Sequence, residues 1–332
     1  MHLLFLMVLH FTISCVSTDI CKQDNPKVLM SNVLVLSVPY GRNTKEYVCL
    51  TCGEAHQTKL VFWKKNGLEL NPALVGNNIT VLVEEMNGGN YTCHDSTDRE
   101  YLNHTVIMVQ QYKDNSIDGD YKEYWILEKQ SPEEVYIQCS APNYQGSFQC
   151  TWKKTRSRSH AAVLLVNAKR DLEYIPCELN ADGSGIHCHH ANCQSEEEKH
   201  RIELTVYMYS HSRLELYATK FFLRQIVRPD KIPNLRSDNG NMFTWSYPDS
   251  WEKPCSYFRL EFQVKVVHNR QSCDSEDSIL HATTEETKHM IGIKANKYIF
   301  CVRAKDKYTD GPFSPWSHCM VKKPHLTCQL EP

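Results

Sequence analysis

The hydrophobic residues of this chain fall in short runs separated by polar positions. Runs rich in β-branched and aromatic side chains occupy residues 33–36, 47–52, 60–63, 79–83, 258–264 and 298–304. Asn, Gly and Pro residues separate them, and a helical period is nowhere sustained. Short runs bounded by turn residues are typical of β-sandwich strands. The pattern therefore predicts an all-β chain.

The amino terminus departs from this pattern. Residues 3–9 form an apolar run that Phe11 and Ile13 continue and that ends in residues 15–17 (Cys-Val-Ser). A short apolar segment at the start of a chain predicts a signal peptide, here residues 1–17. No other stretch approaches the ~20 apolar residues of a membrane helix, and the polar carboxyl end carries no lipid-anchor signal. We therefore expect a secreted, extracellular protein without membrane insertion.

Composition and motifs exclude some classes of protein function. The 332 residues include 37 Lys and Arg against 39 Asp and Glu, a formal net charge of −2, whereas a nucleic-acid binder needs a basic face. The 15 cysteines indicate a disulfide-bonded, extracellular fold, and the length predicts two or three domains. The chain carries no nucleophile-elbow, zinc-protease or phosphate-loop motif, so neither an enzyme nor a cofactor is predicted.

Three acceptor sequences for N-linked sugar lie close together. They begin at Asn78, Asn90 and Asn103, and none recurs later in the chain. Such sequons mark surface positions of a secreted glycoprotein. We therefore expect one sugar-covered face on the amino-terminal domain.

Residues 18–112 have the spacing of an immunoglobulin domain. Cys52 precedes Trp63, and Tyr91 stands two residues before Cys93. In such domains the two cysteines bridge the sheets, the Trp packs on the bond and the Tyr forms a corner. The resemblance implies the disulfide Cys52–Cys93.

A further cysteine, Cys49, forms a Cys-x-x-Cys pair with Cys52. That spacing also occurs in redox and zinc sites, but residues three apart on a strand point to opposite faces. We expect Cys49 to face outward and to pair elsewhere, with Cys21 as one candidate.

The second predicted domain, residues 113–229, carries paired cysteines at a repeated spacing. Cys139 and Cys150 lie eleven residues apart, with a Trp two residues later. This arrangement resembles the first half of a cytokine-receptor module. The resemblance implies the bond Cys139–Cys150 and a second bond Cys177–Cys188, again eleven residues apart.

The third predicted domain, residues 230–328, resembles a fibronectin type III sandwich. Its last strand holds Phe313-Ser314-Pro315-Trp316-Ser317, a variant of the Trp-Ser-x-Trp-Ser box of cytokine receptors. Arg303 and Lys305 alternate onto one strand face, where their cations can lie over the rings of Phe313 and Trp316. We expect a structural role for this box.

Taken together, the chain resembles the family of interleukin-12 beta subunits, secreted relatives of the type I cytokine receptors. The subunit is shared with interleukin-23. The resemblance covers the mature chain and depends on residues 89–94 (Gly-Asn-Tyr-Thr-Cys-His), 143–148 (Asn-Tyr-Gln-Gly-Ser-Phe), 245–249 (Trp-Ser-Tyr-Pro-Asp), 256–258 (Ser-Tyr-Phe) and 302–306 (Val-Arg-Ala-Lys-Asp). It implies three β-sandwich domains in a row. The Phe313 box departs from the family pattern, and the pairing of Cys21, Cys49, Cys255, Cys273, Cys301, Cys319 and Cys328 stays open.

The resemblance also implies a function and a site. The subunit would hold a four-helix-bundle cytokine alpha subunit, of interleukin-12 or interleukin-23 type, at the bend between its last two domains and present it to cell-surface receptors in immune signalling. Tyr144, Tyr257 and Tyr308 match the aromatic walls of the family's pocket, and Asp306 matches its acid. A carboxylate between rings can bind a partner arginine in bidentate fashion. Cys193 matches the family's cysteine that bonds the partner chain, and homodimers through it also fit.

Two alternatives compete with these expectations. The segment from His187 to Cys193 holds five zinc-type ligands in seven positions, but an extracellular Cys is usually oxidised and Cys188 has an expected partner. We therefore predict no metal site. The alternative function is a soluble cytokine receptor alpha chain that binds a helical cytokine reversibly, without a covalent tie.

Overall fold

The structure is a computed structural model. It describes residues 26–40, 44–71, 73–112, 125–131, 135–190, 198–237, 241–251, 253, 255–256 and 258–322, together with the backbone of 325–328. The predicted signal peptide and the residues Cys21, Cys193 and Tyr257 lie outside the described residues.

The described chain consists almost entirely of strands. The first eight are β1 (Lys27–Met30), β2 (Val33–Pro39), β3 (Lys45–Thr51), β4 (Val61–Lys65), β5 (Leu68–Glu69), β6 (Asn78–Glu84), β7 (Gly89–Asp95) and β8 (Tyr101–Tyr112). The next eight are β9 (Gln138–Ser140), β10 (Ser147–Thr151), β11 (Ala162–Arg170), β12 (Glu173–Tyr174), β13 (Cys177–Leu179), β14 (Gly185–His189), β15 (Ile202–Ser210) and β16 (Arg213–Phe221). The last eight are β17 (Arg236–Ser237), β18 (Met242–Thr244), β19 (Leu260–His268), β20 (Leu280–Thr284), β21 (Lys288–Met290), β22 (Lys297–Asp306), β23 (Ser317–Lys322) and β24 (His325–Cys328).

Helical structure is confined to short pieces in the described residues. A single α-helix, α1, spans Leu223–Ile226, and 3-10 turns span Glu54–His56 and Arg156–Arg158. The predicted all-β fold class is confirmed. On β6, for example, buried positions alternate with exposed ones, so that one face of the sheet is buried.

The chain divides into two compact units. The first comprises residues up to Glu123 together with His211–Leu214, and the second comprises Tyr124–Ser210 and Glu215–Pro332. The predicted third domain and most of the predicted second domain fall in the second unit, but His211–Leu214 of the predicted second domain belongs to the first unit. The boundary between these two domains near residue 229 stays a prediction.

The first unit is built from two sheets. One runs in the order β2–β8–β7–β4–β5 with β1 paired to β2, and the other consists of β3 and β6. Between them lies a core in which Trp63 and Tyr91 are 1% exposed. Cys52 and Cys93 are bonded across this core, in the arrangement that the immunoglobulin spacing implied.

The second unit contains several sheets around one continuous core. The strand orders are β13–β14–β10–β9, β12–β11–β15–β16, β17–β18–β21 and β20–β19–β22–β23–β24. The buried core extends from Ile126 to Val321 and includes Trp152, Trp245 and Trp251. It therefore joins the elements on either side of the predicted boundary.

Disulfides tie neighbouring strands of the second unit together. Cys139 bonds Cys150, its direct register partner on β10, and Cys177 bonds Cys188, its register partner on β14. Both outer strands of the sheet β13–β14–β10–β9 are thereby fixed to the inner strands. The structure also bonds Cys273 to Cys301, a pairing that the sequence left open. Cys49, Cys255 and Cys319 are disulfide-bonded as well.

Candidate partner-binding site

Two of the residues that the resemblance singled out meet at a buried hydrogen bond. Tyr144 lies in the loop between β9 and β10, whereas Asp306 is the last residue of β22. The Tyr144 hydroxyl donates to Oδ2 of Asp306 over 2.6 Å. The side chains are closely covered, with Tyr144 6% and Asp306 1% exposed. Oδ1 of Asp306 accepts the backbone N–H of Tyr308 at 2.8 Å, so the acid joins three predicted site residues.

Aromatic rings surround this hydrogen bond. The ring of Tyr144 meets Trp251 and Phe258 edge-on, at centroid distances of 5.9 and 5.6 Å. Phe258 in turn contacts Tyr308, at 5.8 Å between centroids. Tyr308 is 62% exposed. Exposure to solvent thus increases across the cluster, from the buried carboxylate of Asp306 to the exposed ring of Tyr308.

Polar contacts fix the loops that carry these rings. The backbone N–H of Tyr144 donates to Oγ of Ser256 at 3.2 Å, and Nδ2 of Asn143 donates to the carbonyl of Ser250 at 2.7 Å. Sequence reasoning did not assign roles to Asn143, Ser256 or Phe258, although all three stand in the strings that carried the resemblance. Residue-type patterns alone gave no sign of Trp251 as a ring neighbour.

The environment of Tyr144 suppresses its ionisation. Burial raises the pKa of Tyr144 above its ordinary value, and the hydrogen bond to Asp306 and that carboxylate's charge raise it further. A hydrogen bond from Thr309 acts in the opposite direction. The phenol therefore stays a hydrogen-bond donor to the acid at physiological pH. Within the described residues no cation forms an ion pair with Asp306, so its charge is satisfied by neutral donors.

A separate concavity of about 770 Å³ opens on the outer face of the β13–β14–β10–β9 sheet. Its lining includes Gln149, His187, His189 and Arg228, but not Tyr144, Asp306 or Tyr308. The predicted binding residues thus do not line this concavity. Ser147 and His189 are hydrogen-bonded at 2.6 Å on its floor, so the imidazole is occupied by a neighbour on the same sheet.

The variant Trp-Ser box forms a cation–π stack. The guanidinium of Arg303 lies 4.3 Å from the ring centroids of both Phe313 and Trp316, and Lys305 Nζ lies 5.4 Å from Phe313. Nε of Arg303 donates to Gln263 at 2.7 Å. This hydrogen bond supports the edge of the stack, and the structural role expected of the box stays a prediction.

The three sequons differ in their surroundings. Asn78 and Asn90 are exposed on β6 and β7. Nδ2 of Asn103, in contrast, donates to the carbonyl of Cys52 at 3.0 Å, and its Oδ1 accepts the N–H of His104 at 2.8 Å. The amide of Asn103 is therefore engaged within the first unit.

His187, Cys188, His189 and His190 are the described part of the segment that carries zinc-type ligands. Among the residues that the structure describes, no three His, Cys, Asp or Glu side chains are placed to hold one metal ion.

The helices in the described part of the chain include none with the length and apolar composition of a membrane-spanning helix.

Comparisons with known proteins agree with the resemblance drawn from the sequence. Residues 134–210 match the family described as "Cytokine interleukin-12p40 C-terminus". Interleukin-12 subunit beta of Lama glama is 28% identical over 316 residues, covering 87% of this chain and 91% of the relative. The predicted resemblance is confirmed. The human interleukin-12 subunit beta is 27% identical over 294 residues, covering 82% and 85% of the two chains, and that of Felis catus is 26% identical over 315 residues, covering 87% and 91%.

Proposed function

We propose that this chain is the secreted, receptor-like subunit of a heterodimeric cytokine. It holds a four-helix-bundle alpha subunit at the bend formed by the Tyr144, Phe258 and Tyr308 loops, and the pair engages cell-surface receptors in immune signalling. The observation that carries the proposal is similarity to interleukin-12 beta subunits over most of both chains. The loop cluster around Asp306 supplies a surface suited to such a partner.

The chemistry of the cluster supports a basic partner group. Asp306 is 1% exposed, and a buried carboxylate without a cation is costly. Among the described residues its two donors are neutral and leave acceptor positions unfilled, because a carboxylate has about four lone-pair sites. A partner guanidinium that displaces the ring of Tyr144, or passes beside it, would neutralise the carboxylate of Asp306. Tyr308, already exposed, would make the first contact and cover the ion pair from water.

The covalent tie is a separate part of the proposal. Cys193 lies outside the described residues, and its role as the interchain cysteine follows from the resemblance alone. The alternative, a soluble receptor alpha chain, needs no such tie. Free monomers or homodimers through Cys193 would also be secreted, so the alpha subunit must be tested directly.

Co-secretion with candidate four-helix alpha subunits tests the proposal. Wild type, Cys193→Ser, Asp306→Asn and Tyr308→Ala are expressed with each alpha subunit, and complexes are read on non-reducing gels and by size-exclusion chromatography. A matched control is Tyr174→Ala, since Tyr174 is 60% exposed against 62% for Tyr308 but lies on β12.

The variants have distinct expected outcomes. Cys193→Ser loses the covalent band and keeps the noncovalent complex. Tyr308→Ala weakens the complex by about 1–2 kcal/mol, and Asp306→Asn by about 2–5 kcal/mol, because each removes a contact in the desolvated centre of the interface. Tyr174→Ala forms complex as wild type does. Failure of wild type to associate with any alpha subunit, together with reversible capture of a free helical cytokine, would favour the soluble-receptor alternative.

A further inference from the structure

A buried carboxylate outside the pocket connects two elements of the second unit. Glu198 has a side chain that is 7% exposed, and its Oε1 lies 3.1 Å from the guanidinium of Arg170 on β11, which is 8% exposed. The same carboxylate accepts the backbone N–H groups of Leu223 at 2.8 Å and Arg224 at 3.0 Å. These are the first two residues of α1, whose N–H groups have no partner within the helix. Glu198 therefore fixes the start of α1 to β11.

The end of α1 in turn supports the loop that carries Tyr144. The carbonyl of Ile226 accepts the N–H of Ala141 at 3.0 Å, and the N–H of Arg228 donates to the carbonyl of Ala141 at 2.7 Å. Ala141 lies three residues before Tyr144. A shift of α1 would therefore be transmitted through two backbone hydrogen bonds to the pocket's sealed tyrosine.

The other pocket loop packs against the same helix. A Cβ atom added to Gly311 would lie 3.1 Å from the carbonyl oxygen of Val227 and 3.2 Å from that of Arg224. Gly311 thus lets the loop after β22 approach the last turn of α1 closely. This loop follows Asp306 and carries Tyr308. The segment of α1 therefore contacts both loops of the proposed site, the one that carries Tyr144 and the one that carries Tyr308.

We propose that Glu198 is a positioning residue for partner binding, which sets the two pocket loops through α1 without touching the partner. The proposal rests on the proposed function of the Tyr144–Asp306 site. Without the carboxylate, Arg170 would be buried without its ionic partner, and two N–H groups of α1 would lose their acceptor.

Glu198→Gln is the test variant, because it keeps the size of the side chain, removes its charge and leaves one acceptor oxygen where the carboxylate offers two. Glu203→Gln is the matched control. Glu203 pairs with Lys169 and Lys220 at 3.2 and 2.7 Å, but its side chain is 36% exposed. Both variants are made in the Cys193→Ser background, so that affinity for the alpha subunit is measured without a covalent tie.

Two readouts separate positioning from general stability. Hydrogen–deuterium exchange follows peptides covering residues 141–146, 223–228 and 306–311 in the folded, unbound protein. Titration with the alpha subunit gives the dissociation constant below the melting temperature of each variant. Glu198→Gln should speed exchange in all three segments and raise the dissociation constant about tenfold. Glu203→Gln should change neither.

Other results would contradict the positioning role of Glu198. A Glu198→Gln protein that melts earlier but binds with unchanged affinity, and exchanges faster only near Arg170, would overturn the proposal. If that variant is not secreted, Arg170→Lys keeps the charge, loses the planar guanidinium and should give the same changes at smaller size. If wild type binds no alpha subunit, the proposed function fails, and the exchange data alone still decide whether Glu198 orders the loops.

Discussion

The Tyr144 hydroxyl donates a hydrogen bond of 2.6 Å to Oδ2 of Asp306, although the two residues stand 162 positions apart in sequence. Because Asp306 also accepts the backbone N–H of Tyr308, one carboxylate orients a sealed tyrosine and an exposed one. The site is therefore organised by the chain itself before any partner arrives. Because the ring of Tyr144 covers the acid, a partner group that reaches Asp306 must break this hydrogen bond or pass beside the ring.

The first prediction concerns the stability of this site. Tyr144→Phe removes the only side-chain donor that we describe on Oδ2 of Asp306 and leaves a buried acceptor less satisfied. We expect the free energy of unfolding to fall by about 1–3 kcal/mol, measured by urea denaturation followed through tryptophan fluorescence. Tyr174→Phe, at an exposed position on β12, should leave the midpoint unchanged. An unaltered midpoint for Tyr144→Phe would show that the hydrogen bond adds no net stability.

The second prediction concerns the cation–π stack. The guanidinium of Arg303 lies over the rings of Phe313 and Trp316, and replacement by Met removes the cation while keeping an unbranched apolar side chain. Arg303→Met should lower the free energy of unfolding by about 1–2 kcal/mol. Phe313→Trp should raise it by about 0.5 kcal/mol, since indole has the stronger quadrupole.

The double variant decides whether that gain comes from the cation. If Arg303 is responsible, Phe313→Trp adds nothing in the Arg303→Met background, and the thermodynamic cycle shows a coupling between the two sites. An equal gain in both backgrounds would assign the effect to packing area instead. Thermal and urea unfolding of the four proteins supply the measurement.

Much of this architecture follows from local patterns. Alternation on strands such as β6 predicts the sheets. The resemblance to immunoglobulin and cytokine-receptor domains implied the pairs Cys52–Cys93, Cys139–Cys150 and Cys177–Cys188, which the structure contains. Strand alternation and the spacing of cysteines are both visible in one sequence, so these features could be predicted without a structure.

The closed state of the pocket could not be predicted in the same way. The resemblance predicted that Asp306 lies near three tyrosines. The burial of Asp306, however, depends on rings from three separate loops, and Trp251 and Phe258 are among these rings. Glu198 gave no signal, because its partners Arg170 and Leu223 lie 28 and 25 residues away. Contacts of this kind are set by tertiary packing and not by local pattern.

The third prediction concerns the sugar sites. Peptide mapping by mass spectrometry should find glycan on Asn78 and Asn90 and little on Asn103, because the Asn103 amide is engaged with the carbonyl of Cys52. Asn78→Gln and Asn90→Gln should each remove one glycan from the intact mass. Asn103→Asp should leave the mass of attached sugar unchanged and lower stability by about 1–3 kcal/mol, since the donor to Cys52 is lost. Full occupancy of Asn103 would contradict this reasoning.

The fourth prediction concerns alkaline pH. Burial raises the pKa of Tyr91 to about 12, whereas in the unfolded chain a tyrosine titrates near 10. Between these values the unfolded chain has released this proton and the folded chain still holds it. Stability from this group is therefore complete below about pH 10 and is lost as the pH rises toward 12, by up to about 1.4 kcal/mol per pH unit. The pKa of Tyr144 and of Tyr217 is also raised by burial, so their contributions have the same sign.

Urea unfolding of wild type and Tyr91→Phe at a series of pH values from 8 upward isolates the contribution of Tyr91. The variant cannot titrate there, so its free energy of unfolding should fall less steeply above about pH 10. Parallel curves for wild type and Tyr91→Phe would mean that Tyr91 titrates alike in the folded and unfolded chain, and burial would then not suppress its ionisation.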